Sequence, residues 1–114
     1  MPIQYRPWGF YRILDEGQNF LVKMLEVFPG ERTSLQYHNY RNEFWYVVEG
    51  EADVQLDGEA TILSVRDSLF IPIGTTHRIT NNSKSPLKII EIQTGPGPFQ
   101  EDDIIRIQDD YSRA

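Results

Sequence analysis

The sequence predicts a single all-β domain, and three observations support this prediction. Turn-forming pairs such as Pro29-Gly30, Asp57-Gly58 and Asn81-Asn82 recur about every ten residues along the chain. The segments between them are short, and several alternate apolar with polar residues, as a half-buried strand does. No segment shows a long apolar period of about 3.6 residues. This combination is typical of a β-sandwich or a β-barrel.

The predicted strands follow from the positions of the turns. Residues 52–56 alternate and lead into Asp57-Gly58, which is a hairpin signal, and residues 60–65 resume the alternation. Residues 102–107 are predicted to form either an edge strand or a short helix. In chain order, the predicted strands cover residues 21–27, 34–38, 44–48, 52–56, 60–65, 69–71, 78–80 and 87–92.

The length of 114 residues is that of one domain. We predict an N-terminal arm over about residues 1–20, a barrel over about 20–94 and a tail over 95–114. The tail begins at Gly95-Pro96-Gly97-Pro98, which interrupts any regular element.

Composition and charge exclude several functions. The chain has no cysteine, which excludes disulfides, thiolate metal sites and a cysteine nucleophile. Its net charge of −6 argues against nucleic-acid binding, which needs a basic surface. The sequence lacks both a signal-peptide pattern and a membrane-spanning run, so we predict a cytoplasmic protein without membrane contact.

Four polar residues are predicted to meet inside the barrel. Gln36 and His38 stand two positions apart, which places them on one face of a strand, and Glu43 and His77 join them from later strands. Two imidazoles, a carboxylate and an amide oxygen suit a divalent metal ion. Zinc is the preferred ion, with manganese, iron, cobalt or nickel as alternatives. Gln36 is the weakest ligand of the four, and it could instead hydrogen-bond a bound molecule or water.

The spacing of these residues resembles the first motif of the cupin family, G-x5-H-x-H-x4-E-x6-G. The chain matches it from Gly30 through Gln36, His38 and Glu43 to Gly50, with glutamine in the place of the first histidine. The second cupin motif, G-x5-P-x-G-x2-H-x3-N, fits Pro72, Gly74, His77 and Asn81, with Arg66 in place of its first glycine. The resemblance implies a cupin fold, which is a double-stranded β-helix or jelly-roll barrel.

The chain also resembles a narrower family, the C-terminal isomerase domain of type II mannose-6-phosphate isomerase / mannose-1-phosphate guanylyltransferase. The similarity runs from an opening signature at residues 6–11, through the metal-binding segment at 29–45, to a closing segment at 91–106. The chain departs from the family's histidine-rich segment at Asn39, Tyr40 and Phe44. No guanylyltransferase domain lies within the sequence.

The resemblance implies conversion of mannose 6-phosphate to fructose 6-phosphate by a metal-dependent aldose–ketose isomerase. A divalent metal would polarise the carbonyl and hold the developing oxyanion. Arg41 and Glu43 are the predicted catalytic residues. Arg32, Arg41 and Arg78 are predicted to bind the sugar phosphate, because guanidinium groups bind phosphate in bidentate fashion. Each of these arginines could instead be a surface charge or the partner of a carboxylate.

Two alternatives remain open at this point. The Asn39, Tyr40 and Phe44 replacements favour a non-catalytic metal-containing cupin that binds a sugar or another small molecule. An iron-dependent dioxygenase would use the same ligand set. The resemblance to cupins, together with the need to protect exposed strand edges, also predicts a homodimer.

Overall fold

The computed structural model describes residues 2–99 and 103–111. No α-helix occurs in these two ranges, and so no helix there could cross a membrane. The strands, in chain order, are β1 (Gln4–Arg6), β2 (Gly9–Glu16), β3 (Phe20–Val27), β4 (Leu35–Tyr37), β5 (Asn42–Glu49), β6 (Ala52–Leu56), β7 (Glu59–Leu63), β8 (Ser68–Ile71), β9 (His77–Thr80), β10 (Leu87–Thr94) and β11 (Ile105–Gln108).

The strands form two sheets. The six-stranded sheet has the order β1-β2-β3-β10-β5-β8, and the five-stranded sheet has the order β11-β4-β9-β6-β7. Every strand pairing within them is antiparallel. The predicted all-β cupin fold is confirmed as a jelly-roll sandwich. The two sheets are open at their edges, however, and do not close into a complete barrel.

Most predicted strands lie where the turn residues place them. The hairpin between β6 and β7 turns at Asp57 and Gly58, whose φ angles of 48° and 83° are those that a tight two-residue hairpin needs. The tail forms the edge strand β11, which settles the choice between a strand and a short helix. Strands β1 and β2 were not predicted, and they make the predicted N-terminal arm part of the larger sheet.

The strand predicted over residues 34–38 is shorter in the structure. β4 ends at Tyr37, and His38 lies in the connection that follows. The carboxylate of Asp103 accepts hydrogen bonds from the backbone N–H groups of Asn39 and Tyr40, at 2.9 and 3.1 Å. This side chain therefore takes the place of strand pairing at that point.

The inner face of the six-stranded sheet is divided along its length. In β10, the inward residues Leu87 and Ile89 are apolar, whereas Glu91 and Gln93 are polar, and all four are buried. The apolar half packs against the other sheet and forms the core, where each large side chain contributes roughly 1.5–3 kcal/mol by burial. The polar half faces the site described below. The core comprises Trp8, Tyr11, Leu25, Val27, Trp45, Val47, Ala52, Val54, Leu63, Ile71, Ile79, Leu87 and Ile89.

Candidate metal centre and its cavity

Three side chains from the two sheets converge on one point inside the sandwich. His38 Nε2 lies 3.1 Å from His77 Nε2 and 2.9 Å from Glu43 Oε2, and His77 Nε2 lies 3.8 Å from Glu43 Oε1. One ligand atom from each residue lies within 4.8 Å of the others. Ligands bound tetrahedrally to zinc at about 2.0–2.2 Å are separated by similar distances. The three residues therefore form a candidate metal site.

The hydrogen bonds of the two imidazoles fix which nitrogen of each ring faces this point. His38 Nδ1 lies 3.1 Å from the carbonyl oxygen of Asp103, and His77 Nδ1 lies 3.0 Å from that of Thr75. A carbonyl oxygen only accepts, so each Nδ1 carries the hydrogen and donates it. Both Nε2 atoms and the Glu43 carboxylate then meet as acceptors. Such an arrangement needs a cation between them, either an added proton or a metal ion, and ring orientation by a carbonyl is typical of metal-binding histidines.

Strand pairing brings these residues together from distant parts of the sequence. Gln36 in β4 lies directly opposite His77 in β9. His38 follows β4, and its carbonyl accepts a hydrogen bond from the backbone N–H of Gly74 at 2.8 Å. Glu43 occupies an inward position on β5, in the facing sheet. The site therefore exists only when the two sheets are packed together.

The electrostatics of the site favour the metal-binding protonation states of Glu43 and His77. Burial would raise the pKa of Glu43, but the 2.9 Å contact with His38 Nε2, which is a hydrogen bond when that nitrogen carries the added proton, and the charge of Arg41 hold it well below its ordinary value. Burial also lowers the pKa of His77. Arg41 Nε donates to Glu43 Oε2 at 2.9 Å, and its Nη2 lies 3.4 Å from His38 Nε2. An ionised carboxylate and a neutral imidazole are the forms that bind a metal ion.

A second buried carboxylate lies beside the site. Trp45 Nε1 lies 3.0 Å from both Glu43 Oε1 and Glu91 Oε1, and it donates to the two carboxylates. Gln93 Nε2 donates to Glu91 Oε2 at 2.8 Å. Burial, and then the negative charge of Glu43, raise the pKa of Glu91 to about 7. The two neighbouring carboxyls therefore titrate in very different ranges.

These groups border a cavity of about 50 Å³, which has room for a metal ion and water. Entry of a larger ligand would require side chains at the cavity mouth to move. The cavity is lined by Arg6, Trp8, Tyr11, Lys23, Leu25, Thr33, Gln36, Arg41, Glu43, Trp45, His77, Ile79, Glu91, Ile104 and Arg106.

The cavity is locally rich in positive charge, although the chain has a net charge of −6. Arg6, Lys23, Arg41 and Arg106 line it together with two carboxylates. The Nζ atom of Lys23 lies 4.2 Å from the centre of the Tyr11 ring, and Arg6 Nη2 donates to the Tyr11 hydroxyl at 3.2 Å. A concave site lined by cations attracts an anionic ligand despite an unfavourable overall field.

The predicted phosphate-binding arginines are distributed differently. Arg41 lines the cavity, but Arg32 is exposed and forms a two-pronged contact with Asp110 at 2.7 and 2.8 Å. Arg78 donates to the backbone carbonyls of Thr33 and Gln108, at 3.0 and 3.3 Å. Arg32 and Arg78 are absent from the cavity lining, and both hold the tail against the rest of the chain.

Gln36 lines the cavity, but its amide oxygen already accepts a hydrogen bond. The hydroxyl of Ser34 lies 2.6 Å from Gln36 Oε1. Metal coordination by Gln36 would compete with this bond. Its role as a fourth ligand stays a prediction.

Sequence reasoning did not assign Arg6, Lys23, Glu91 or Arg106 to the site. A usable signal existed for two of them. Lys23 and Glu91 stand at inward positions of strongly apolar strands, where a charged residue is unusual. They also lie directly opposite each other in the pairing of β3 with β10. Arg6 and Arg106 carry no such signal, since each comes from an edge strand of the fold.

Comparison with known proteins identifies relatives that are much longer than this chain. The chain is 48% identical over 110 residues to the xanthan biosynthesis protein XanB of Xanthomonas campestris pv. campestris. It is 44% identical over 110 residues to the mannose-1-phosphate guanylyltransferase ManC of Salmonella typhimurium. Each alignment covers 96% of this chain and 23% of the relative. The chain therefore spans about a quarter of the length of these relatives.

These relatives correct the predicted reaction. Conversion of mannose 6-phosphate to fructose 6-phosphate by a metal-dependent isomerase is wrong as the function of this chain, because its relatives are named for guanylyl transfer and xanthan biosynthesis. The geometry also removes part of the physical basis of that prediction. Two of the three arginines intended to hold the phosphate, Arg32 and Arg78, contact the tail and do not line the cavity.

Solved structures agree with the sandwich architecture. KdgF from Halomonas sp. superimposes with a TM-score of 0.78, covering 90% of this chain and 92% of KdgF, at 21% sequence identity. At that identity the likeness concerns the fold alone. The family described as "Mannose-6-phosphate isomerase C-terminal" matches residues 3–109, which is nearly the whole sequence. The chain belongs to this family.

Proposed function

We propose that this chain is a metal-containing cupin module that binds a phosphorylated mannose and serves mannose-1-phosphate guanylyl transfer. The observation that carries the proposal is the cavity, which is lined by Glu43 and His77 of the His38–Glu43–His77 cluster together with Arg6, Lys23, Arg41 and Arg106. A metal ion suits the hydroxyl oxygens of a sugar, and the cations suit its phosphate. The name of the ManC relative supplies the sugar, mannose 1-phosphate.

Zinc is the proposed ion. His38, Glu43 and His77 would hold it, because they offer two imidazole nitrogens and one carboxylate, the donor set of many zinc sites with an open coordination position. The ion would supply a Lewis-acidic centre for an oxygen of the ligand. Arg41 contacts both His38 and Glu43, so it would orient these ligands and face the bound anion at once.

Lys23 is the residue that best distinguishes ligand binding from structural roles. It is nearly buried, and its charge lies over the Tyr11 ring inside the cavity. A buried cation is costly unless it is paired, and the pairing available from Glu91 is weakened because the pKa of Glu91 is raised to about 7. A phosphate group would complete the charge balance.

The test is calorimetric titration of mannose 1-phosphate into the zinc-loaded chain, with unphosphorylated mannose as the second ligand. Lys23→Met keeps the aliphatic stem and removes the charge, and it should weaken binding of the phosphate by about 10-fold or more, which is the loss of one charge-assisted hydrogen bond. Lys84→Met is the matched control, since Lys84 lies exposed in the loop before β10. His77→Ala should abolish stoichiometric zinc in a metal analysis.

Three results would contradict the proposal. Equal affinity for mannose and mannose 1-phosphate would show that the cationic side chains of the cavity do not bind the phosphate group. Equal weakening by Lys23→Met and Lys84→Met would show that the effect is one of overall charge. Zinc bound at full stoichiometry by His77→Ala would place the metal elsewhere.

A further inference from the structure

The last described segment of the chain forms one wall of the cavity. Ile104 and Arg106 both line the cavity, and Arg106 lies opposite Gln36 of β4, which lines it too. Ile105 stands between them and is 36% exposed, as the alternation of side chains along a strand requires. We call residues 104–111 the strap. One side of the strap therefore faces the cavity, and the other side faces solvent.

The cavity is too small for a sugar phosphate while the strap lies against it. Its volume of about 50 Å³ has room for little more than a metal ion and water. The wall formed by the six-stranded sheet is firmly held, because Lys23, Glu43 and Glu91 stand in eight-residue strands and β10 pairs along its length with both β3 and β5. Central strands of this kind open only near the free energy of global unfolding. Admission of a sugar phosphate therefore requires a different wall to move.

The strap is held by fewer and weaker contacts. β11 has four residues and pairs with one neighbour, the three-residue strand β4, and the register of this pairing is interrupted. Further along, Arg32 contacts Asp110 through side chains that are 42% and 41% exposed, so water and salt screen the pair. Arg78 reaches a backbone carbonyl of the strap at 3.3 Å, and Tyr111 donates a hydrogen bond to Glu31. The strap is therefore the wall that opens at the lowest cost in free energy.

Asp103, which directly precedes the strap, is held more firmly. It is buried, and its carboxylate accepts hydrogen bonds from the backbone N–H groups of Asn39 and Tyr40 at 2.9 and 3.1 Å. Its carbonyl oxygen accepts the hydrogen of His38 Nδ1 at 3.1 Å. Movement of the strap beyond Asp103 leaves these bonds intact. His38 therefore keeps its orientation whether the strap is open or closed.

We propose that the strap opens at Asp103 to admit the ligand and then closes over it, returning Arg106 to the cavity. The closed strap adds a cation to the surroundings of a bound phosphate, so the ligand favours the closed position. Strap closure and ligand binding are consequently linked, and each stabilises the other. The inference rests on the proposed function for the nature of the ligand, whereas opening of the strap is a property of the chain without ligand.

The first test is amide hydrogen exchange of the zinc-loaded chain without sugar phosphate, resolved to single residues. The hydrogen-bonded amides of residues 105–108 should exchange at least about 10-fold faster than those of β7, since only the strap opens locally. β7 is the matched control because it is the opposite edge strand of the same sheet. Saturating mannose 1-phosphate should slow exchange in the strap and leave β7 unchanged. Equal exchange in the strap and in β7 without ligand would overturn the proposal.

The second test locks the strap with a disulfide. Tyr37 and Ile105 lie directly opposite each other in the pairing of β4 with β11, and such residues are at disulfide distance. The chain has no cysteine of its own, so Tyr37→Cys with Ile105→Cys gives a single crosslink. The control is Gln55→Cys with Ala60→Cys, which are opposite each other in the pairing of β6 with β7. Mass spectrometry of the intact chain establishes that each disulfide has formed.

The quantity to measure is the association rate of mannose 1-phosphate, followed by the fluorescence of Trp8 and Trp45, which line the cavity. Oxidation of the strap pair should slow association at least about 10-fold relative to the same protein reduced, because the opening step is blocked. Oxidation of the control pair should leave the rate unchanged. An unchanged rate in the locked protein would show that the ligand enters elsewhere and would overturn the proposal. If the reduced protein binds no sugar phosphate while the strap amides exchange rapidly, the proposed ligand is wrong and the opening of the strap is confirmed.

Discussion

Each of the two faces of the six-stranded sheet carries residues that are unusual for its position. The inward residues of β3, β5 and β10 include Lys23, Glu43, Glu91 and Gln93, whereas the outward residues of the same strands are mostly apolar. In an ordinary two-sheet sandwich, apolar residues face the core and polar residues face water. The inner polar residues border the proposed ligand cavity, whereas the outer apolar residues remain partly or largely exposed on the single chain.

The apolar and polar parts of the sheet should also contribute differently to the stability of the chain and to ligand binding. The inward apolar half of the sheet holds the two sheets together, and the inward polar half depends on that packing because its hydrogen bonds cross the strands. The outward apolar residues, which are partly exposed, add little to the stability of one chain. Mutations that compare equivalent positions on the two faces should therefore give contrasting results.

The largest effect is expected from two neighbouring isoleucines of β10. Ile89 is fully buried in the core, and Ile90 lies on the outer face of the same strand. Ile89→Ala should lower the free energy of unfolding by about 2–5 kcal/mol, since it leaves a cavity in a packed core. Ile90→Ala should lower it by less than about 1 kcal/mol under conditions where the chain is monomeric.

Urea unfolding at low protein concentration measures both values. Far-ultraviolet circular dichroism establishes that each variant retains its sheets before unfolding. Equal losses of unfolding free energy at Ile89 and Ile90 would mean that the outward residues are also packed within one chain. The two faces of the sheet would then not differ in their contribution to stability.

The next effect concerns the buried carboxyl on the inner face. The pKa of Glu91 is about 7 in the folded chain, above its ordinary value near 4.5. The folded state therefore binds more protons than the unfolded state between these values, and the contribution of Glu91 to stability is lost as pH rises through this window. The loss amounts to about 3 kcal/mol between pH 4.5 and pH 7.

Glu91→Gln should remove this pH dependence, because an amide does not titrate. The quantity to compare is the difference in unfolding free energy between wild type and variant, measured in the presence of a chelator at several pH values. This difference also cancels the opposite contribution of His77, whose lowered pKa makes the folded chain less stable in acid. A difference that stays constant from pH 4.5 to pH 7 would show that the pKa of Glu91 is the same in the folded and the unfolded chain.

The smallest effect is expected at the charged row of the outer face. Lys88 contacts Glu26 and Glu49 at distances of 4.0 and 3.4 Å, with its side chain 39% exposed. Exposed ion pairs contribute little because water and salt screen them, so Lys88→Met should change the unfolding free energy by less than about 1 kcal/mol. Urea unfolding of wild type and variant at low and high salt gives the comparison. A loss as large as that of Ile89→Ala would contradict the distinction between the faces.

Much of the fold could be predicted from the sequence because turn chemistry is local. Asp57 and Gly58 specify a hairpin by themselves, since few residue pairs accept positive φ at adjacent positions. The strands of the N-terminal arm were missed because β2 is defined by its pairing with β3 and carries weak alternation of its own. The open edges of the sheets depend on pairing between strands that are distant in the sequence. A local sequence pattern does not predict such pairing.

The candidate site was predicted in part for the same reason. The two cupin motifs placed His38, Glu43 and His77 together in the prediction, and the three side chains do converge, although His38 lies after β4 and not on the strand. The contact partner of an arginine depends on which part of the chain packs next to it in the folded structure. Arg32 contacts Asp110, and Arg41 contacts Glu43. A single sequence does not show which acidic residue will pair with which arginine.

The tail makes a contact that bears on where this chain can be shortened. The backbone carbonyl of Asp103 accepts the hydrogen of His38 Nδ1, and its carboxylate fixes the connection that carries this histidine. Tyr111 donates to Glu31, which anchors the same segment further along. A fragment cut at the glycine–proline stretch after residue 94 would keep all three metal-ligand side chains. It would nevertheless lose the hydrogen bond that orients the imidazole of His38, so a fragment that preserves the candidate metal centre should include the segment from Asp103 to Tyr111.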